Sequence, residues 1–200
     1  MLDAAARRLL SRVLAKPARA LVRFGITPNQ VSISAAILGI GAGALVASGR
    51  VAPGITAWLV SRILDGLDGI LARETGQSSA FGGYLDITLD MVAYSAMLLG
   101  FAVIHPEAGW AWSAILVGYV LVTTTTLALS SILERQDSSL PANDRALQFT
   151  PGFAEAGETS LVYVLFAVIP QWTTPVAWLW AALCGATVVQ RTFLAHRLLR

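Results

Sequence analysis

The chain has one cysteine, Cys184, and two histidines, His105 and His196, in 200 residues. A lone cysteine excludes an intramolecular disulfide and a cysteine-ligated metal site. The two histidines fall at opposite ends of the topology read below, so histidine catalysis has no support. Charge is scarce too. Only 13% of the residues are Asp, Glu, Lys or Arg, about half the share usual in a soluble domain. The formal net charge is +2, and no nucleic-acid partner is expected. Internal repeats and low-complexity segments are absent.

What fills the chain instead is hydrocarbon. Hydrophobic residues make up 56% of it and the mean hydropathy is +0.66, which places the chain in a membrane. Apolar stretches long enough for the ~30 Å hydrocarbon layer run about from Val31 to Ser48, Ile55 to Leu71, Gly83 to Ile104, Trp110 to Ile132, Thr159 to Ile169 and Val176 to Leu194. The expected fold is an all-α integral membrane bundle of six transmembrane helices. The fifth stretch is the shortest, and Glu155 and Glu158 precede it, as in a helix entering from a polar cavity. Pro53-Gly54, Gly82-Gly83, His105-Pro106, Pro151-Gly152 and Pro170 are expected to mark the joints.

Residues 1–24 mix apolar positions with Arg and Lys and lack the apolar core of a signal peptide. They read as an amphipathic juxtamembrane helix lying on an anionic surface, ahead of a transmembrane domain over 25–200. With the first residues on the cytoplasmic side, Arg7, Arg8, Arg12, Lys16, Arg19, Arg23, Arg73, Arg135, Arg145, Arg197 and Arg200 lie inside, and Arg50 alone lies in an outer loop. Both termini are therefore expected in the cytoplasm, in the inner membrane if the source is bacterial.

Against this background four aspartates stand out: Asp65, Asp68, Asp86 and Asp90. A carboxylate at membrane depth costs roughly 2.5–3.5 kcal/mol on insertion scales, so four together call for a cation between them. At 100° per residue, Asp65, Asp68, Gly69, Ala72 and Arg73 share less than half of a helix circumference. Asp86 and Asp90, four apart, share a face of the next helix. Two helices thus offer two carboxylates each to one cleft on the cytoplasmic side. Hard oxygen ligands suit Mg²⁺ or Mn²⁺, which complete their shells with water and substrate phosphate. Two ions about 3.5–4 Å apart fit such a quartet, with Asp90 reaching the second. Gly69 and Ala72 leave room against the backbone, and Arg73 adds a cation suited to phosphate oxygens. Asp90, one turn deeper than Asp86, is the expected general base.

The run Asp65-x-x-Asp68-Gly69-x-x-Ala72-Arg73, then eight residues, then Gly82-x-x-x-Asp86-x-x-x-Asp90 resembles the signature of the CDP-alcohol phosphatidyltransferase family, with every motif position matched. The resemblance implies transfer of a substituted phosphoryl group from a CDP-linked donor to an alcohol, with release of CMP. It gives the last aspartate, Asp90, the role of base, and it places Gly69, Ala72, Arg73, Ser79 and Gly82 at the CDP moiety. Pro28-Asn29-Gln30-Val31 looks like the family's segment that contributes to the cytidine pocket. Read by itself, Thr27-Pro28-Asn29 is a helix start. Homodimers are common in the family resembled.

Arg62, three residues before Asp65, is expected either to serve the metal ligands or to pair with a carboxylate whose burial it makes tolerable. On the acceptor side the candidates are Arg145, Glu155, Glu158 and Arg191. Five acids, Glu134, Asp137, Asp144, Glu155 and Glu158, face two arginines, Arg135 and Arg145, in this region, which leans toward an uncharged polyol or an amino alcohol. Thr123 to Thr126 are expected to return hydrogen bonds to their own backbone or to join helices. The leading expectation is a phospholipid-making transferase using CDP-diacylglycerol and a small polar alcohol. The alternative within the family is a CDP-choline or CDP-ethanolamine donor with diacylglycerol as acceptor. A divalent-cation transporter would explain the aspartates but leaves Gly69, Ala72 and Arg73 unexplained.

Overall fold

A computed structural model describes residues 17, 20, 21, 24–136 and 152–200. The amphipathic helix expected over 1–24 falls almost wholly outside the described residues, as do Asp137, Asp144, Arg145 and Pro151. The described residues form six α-helices: α1 (Pro28–Ala47), α2 (Val51–Thr75), α3 (Ala80–Ile104), α4 (Trp110–Gln136), α5 (Ala156–Val168) and α6 (Thr173–Leu198). Single 3₁₀ turns, Pro106–Ala108 and Pro170–Trp172, lead into α4 and α6.

Local chemistry sets the ends. Thr27 and Gln30 form a reciprocal capping box, with Pro28 in the first turn of α1. Gly76 closes α2 in the left-handed conformation at φ 65°. Three residues later Ser79 caps α3 by accepting from the Gly82 N–H at 3.0 Å. This tight turn holds the C-terminal end of α2 beside the N-terminal end of α3. Two expected joints move for physical reasons. Pro53-Gly54 and Gly82-Gly83 lie inside the first turns of α2 and α3, where a proline is tolerated because the first N–H groups have no helical partner anyway.

Length and composition make four segments able to cross a membrane: Pro28–Ala47, Ala80–Ile104, Trp110–Arg135 and Pro170–Leu198. Helix α2 has 25 residues but carries Arg62, Asp65, Asp68, Arg73 and Glu74. The 13 residues of α5 reach about 20 Å, short of the hydrocarbon thickness. Trp110, Val117, Val120, Leu179 and Phe193 point outward from the bundle, as lipid-facing side chains do.

Helix α1 packs along both α2 and α3, α4 packs on α6, and α5 bridges the two groups. The bridge is aromatic. Trp58 meets Tyr94 and Tyr163 edge-on at ring distances of 5.1 and 5.2 Å, and its indole N–H donates to Ser160 Oγ at 3.3 Å. Below them, Phe101, Phe166 and Trp112 continue the core. The Tyr163 and Tyr119 hydroxyls are partnered across helices: Tyr163 donates to the Tyr94 carbonyl at 2.8 Å, and Trp180 donates to Tyr119 Oη at 3.2 Å.

Gly43 and Gly100 allow α1 and α3 to touch backbone to backbone, since a Cβ on either would overlap the facing main chain. Gly100→Leu should therefore lower the unfolding free energy in detergent by about 1–3 kcal/mol. Gly41, with open space around it, is the control: Gly41→Leu should leave the thermal midpoint unchanged or higher.

Candidate metal and phosphate site

The ends of α2 and α3 bring Asp65, Asp68 and Asp86 together, with one carboxylate oxygen from each lying within 4.8 Å of the others. Asp65 is half-buried, Asp68 is buried and Asp86 is exposed, so the cluster is walled by protein on one side and open on the other. Asp68 is fixed by Ser32 of α1, whose hydroxyl donates to Oδ2 and stands 3.2 Å from the Pro28 carbonyl. Three hard oxygen donors from two rigid helices, with a fourth side chain orienting one of them, suit a divalent cation that keeps water or phosphate in its remaining positions.

Asp90 stands apart from the trio. Its Oδ1 receives Nη1 of Arg62 in a close ion pair, and the same Nη1 lies 3.6 Å from Asp65 Oδ2. The guanidinium lies over two aromatic faces, 4.6 Å from the Trp58 ring and 5.1 Å from the Tyr94 ring. Its Nη2 donates to Ser61 Oγ at 3.0 Å, and Ser61 donates in turn to the Ala35 carbonyl at 2.8 Å. Arg62 thus pairs with Asp90 and with Asp65, a member of the carboxylate trio.

The residues expected at the nucleotide divide. Asn29, Ser79 and Gly82 meet: a Cβ on Gly82 would sit 3.2 Å from Ser79 Oγ and 3.3 Å from Asn29 Oδ1. Arg73 is exposed and folds back, with Nη1 about one van der Waals contact from where a Gly69 Cβ would stand. Ala72 is half-buried one turn beyond Asp68. By contrast, the Gln30 side chain is engaged in the α1 cap, and Val31 is buried against Leu67, Ile70 and Leu71. Pro28 is buried as well.

On the other side, Arg191 of α6 is buried and donates through Nη1 to the Val122 carbonyl at 2.8 Å and to Thr126 Oγ1. Thr125 and Thr126 return their hydroxyls to Leu121 and Val122 carbonyls at 2.8 Å, as expected of membrane threonines. Glu155 accepts from the Gly152 N–H at 2.9 Å. Glu158 lies in the first turn of α5 with Oε2 buried and unpartnered among the described residues; the N-cap position belongs to Glu155. Sequence reasoning passed over Ser32 and Ser61. Their signal was available, since a serine one turn past Pro28 and another just before Arg62 interrupt apolar surfaces at the depth of the aspartates.

Comparison with known proteins agrees with this geometry. The family model of the CDP-alcohol phosphatidyltransferases matches residues 25–190. The inner membrane protein YnjF of Escherichia coli is 30% identical over 206 residues, which cover 100% of this chain and 98% of that protein. The phosphatidylinositol phosphate synthase of Mycobacteroides abscessus is 29% identical over 92% of this chain and 84% of its own length. Among solved structures, the Mycobacterium tuberculosis phosphatidylinositol phosphate synthase with CDP-DAG bound superposes with a TM-score of 0.75 at 24% identity, covering 92% of this chain and 94% of that one. The same enzyme in complex with manganese and citrate gives 0.67 at 25% identity, covering 91% and 88%.

If the trio forms one cation site, Asp86→Asn should weaken Mn²⁺ binding to the purified protein at least about tenfold. Ser32→Ala, which loosens Asp68 without removing a ligand, should weaken it less. Isothermal titration checks both.

Proposed function

From its membership of the CDP-alcohol phosphatidyltransferase family, to which this chain belongs, we propose that it transfers the phosphatidyl group of CDP-diacylglycerol to the hydroxyl of a small polar alcohol and releases CMP. The observation that carries the reading is the convergence of Asp65, Asp68 and Asp86 within 4.8 Å at adjoining helix ends. Asp65, Asp68 and Asp86 would hold Mg²⁺ or Mn²⁺. That ion, when bound, supplies positive charge for the donor diphosphate and for the charge that develops on departing CMP.

The remaining work falls to the chain. Asn29, Gly69, Ala72, Arg73, Ser79 and Gly82 bind the CDP end of the donor, with Arg73 neutralising phosphate oxygens. Asp90 accepts the proton of the acceptor hydroxyl. The alcohol oxygen forms a bond to the phosphatidyl phosphorus as the bond from phosphorus to the CMP oxygen breaks. Glu155, Glu158 and Arg191 lie on the acceptor side. The mycobacterial relatives are named as phosphatidylinositol phosphate synthases, which supports CDP-diacylglycerol as donor here and a polyol, phosphorylated or free, as acceptor.

The same reading takes the chain across the membrane six times, α2 and α5 included, with termini and cleft on the cytoplasmic side. The cationic residues are concentrated there, and the donor's acyl chains remain in the bilayer while CMP leaves to the cytosol. An amphipathic segment over 1–24 lies along that surface, and two copies pair as in the family resembled.

Purified protein given Mn²⁺ or Mg²⁺, labelled CDP-diacylglycerol and a panel of polyols, polyol phosphates and amino alcohols should release CMP and form a new lipid with one acceptor class. CMP release only from CDP-choline or CDP-ethanolamine with diacylglycerol would install the reversed arrangement instead. Asp90→Asn should lower kcat by about 10²–10⁴-fold while CDP affinity stays within a few-fold of the parent, and chelation of the metal should stop turnover altogether.

A further inference from the structure

Helix α5 begins without a side-chain cap of its own. Glu155 holds the N-cap position and makes no capping hydrogen bond; its Oε1 accepts instead from the N–H of Gly152, behind it in the chain, at 2.9 Å. The entry to the helix is fixed from elsewhere. Thr187 of α6 is fully buried, and its Oγ1 accepts from the Phe153 and Ala154 N–H groups, each at 3.1 Å, while donating to the Leu183 carbonyl at 2.9 Å. We propose that Thr187 is a positioning residue for the acceptor alcohol: it pins residues 152–154 to α6 and so sets where Glu155 and Glu158 stand relative to Arg191. This rests on the functional reading above, in which those three side chains serve the acceptor.

The fit between the segment and α6 is tight. A Cβ on Gly152 would stand 2.6 Å from Thr187 Cγ2, so the threonine methyl leaves room for nothing larger than glycine. The backbone makes no such demand, since Gly152 is not among the glycines at positive φ. The same Cβ would lie 3.4 Å from Arg191 Nη2, and Arg191 follows Thr187 by one turn on the same face of α6. Two polar atoms at this end of the bundle have no hydrogen-bond partner among the described residues: Arg191 Nε, in a residue only 6% exposed, and Glu158 Oε2. A buried donor and a buried acceptor left open on the two helices that Thr187 ties together call for a ligand that offers both functions, as hydroxyl groups do.

Thr187 acts through these side chains and touches no reacting atom. Without its hydroxyl, two N–H groups lose their acceptor, and the segment must part from α6 to find another. The donor end is built on α1, α2 and α3 and keeps its own contacts, so the effect falls on the alcohol alone.

The test is a pair of saturation curves, one for CDP-diacylglycerol and one for the acceptor, read as CMP release by the full-length protein in lipid nanodiscs with Mn²⁺. Glycerol, glycerol phosphate, inositol, inositol phosphate, serine and ethanolamine are offered as acceptors, and the curves are run with the one that supports the highest rate. Thr187→Val, which keeps the shape and removes the hydroxyl, should raise the acceptor KM about tenfold or more with the donor KM unchanged, and Thr187→Ser should stay near the wild type. Gly152→Ala should raise the acceptor KM by pressing on Thr187 Cγ2, and Thr187→Ser should rescue Gly152→Ala because serine lacks that methyl. An unchanged acceptor KM in Thr187→Val, acceptor and donor KM rising together, or no rescue in the double variant would each overturn the proposal and leave the phosphatidyl-transfer reading intact. The rescue pair decides even where Thr187→Val fails to fold. No CMP release by the wild type with any of these alcohols would remove the functional reading, and the proposal with it.

Discussion

Acidic side chains cannot be gathered at the edge of a hydrocarbon layer unless opposite charge is gathered with them, and the structure is organised around that constraint. Asp65, Asp68 and Asp86 come together at the junction of α2 and α3, while Asp90, deeper in the bundle, is met by Arg62. Each charge has an answer of a different kind: the trio has the geometry of a divalent-cation site, and half-buried Asp90 has an arginine lying over two aromatic rings. Because the carboxylates are mounted on helices rather than on loops, their spacing survives thermal motion, which phosphoryl transfer demands of its positioning groups.

The rest of the bundle serves that junction. Gly76 and Ser79 turn the chain within a few residues, so the two motif helices begin and end side by side. Gly43 and Gly100 let α1 lie directly against α3, with Asn29 toward Gly82, while the packing of α1 along α2 brings Ser32 to Asp68. Trp58 does double duty, fixing α2 to α5 through Ser160 and forming one wall of the arginine cage. A change in core packing would therefore reach the site through named contacts, not through general loosening.

Much of this was legible in the sequence, because the informative parts obey local rules. Helical periodicity alone put Asp65 and Asp68 on one face and Asp86 and Asp90 on another, and the capping chemistry at Thr27-Pro28 and the reversal after Arg73 follow from residue type. The parts that were not legible depend on which helix faces which. Nothing local tells Ser32 that it will meet Asp68, or Arg62 that it will reach Asp90, twenty-eight residues on, as well as its neighbour Asp65. Val31 and Gln30 were grouped with the nucleotide segment by resemblance; their packing against α2 and capping of α1 are further contacts that the segment's sequence does not announce. Proline and glycine pairs misled slightly for a similar reason: they mark weak points in a helix, and a first turn tolerates them.

The central claim is that oxygens from the two adjoining helices α2 and α3 enclose a divalent ion. Crystals grown with Mn²⁺ and measured at the manganese absorption edge test it most directly. The account predicts an anomalous peak within coordination distance of Asp65, Asp68 and Asp86. Density elsewhere in the bundle, or carboxylates splayed too far apart to share an ion, would contradict it.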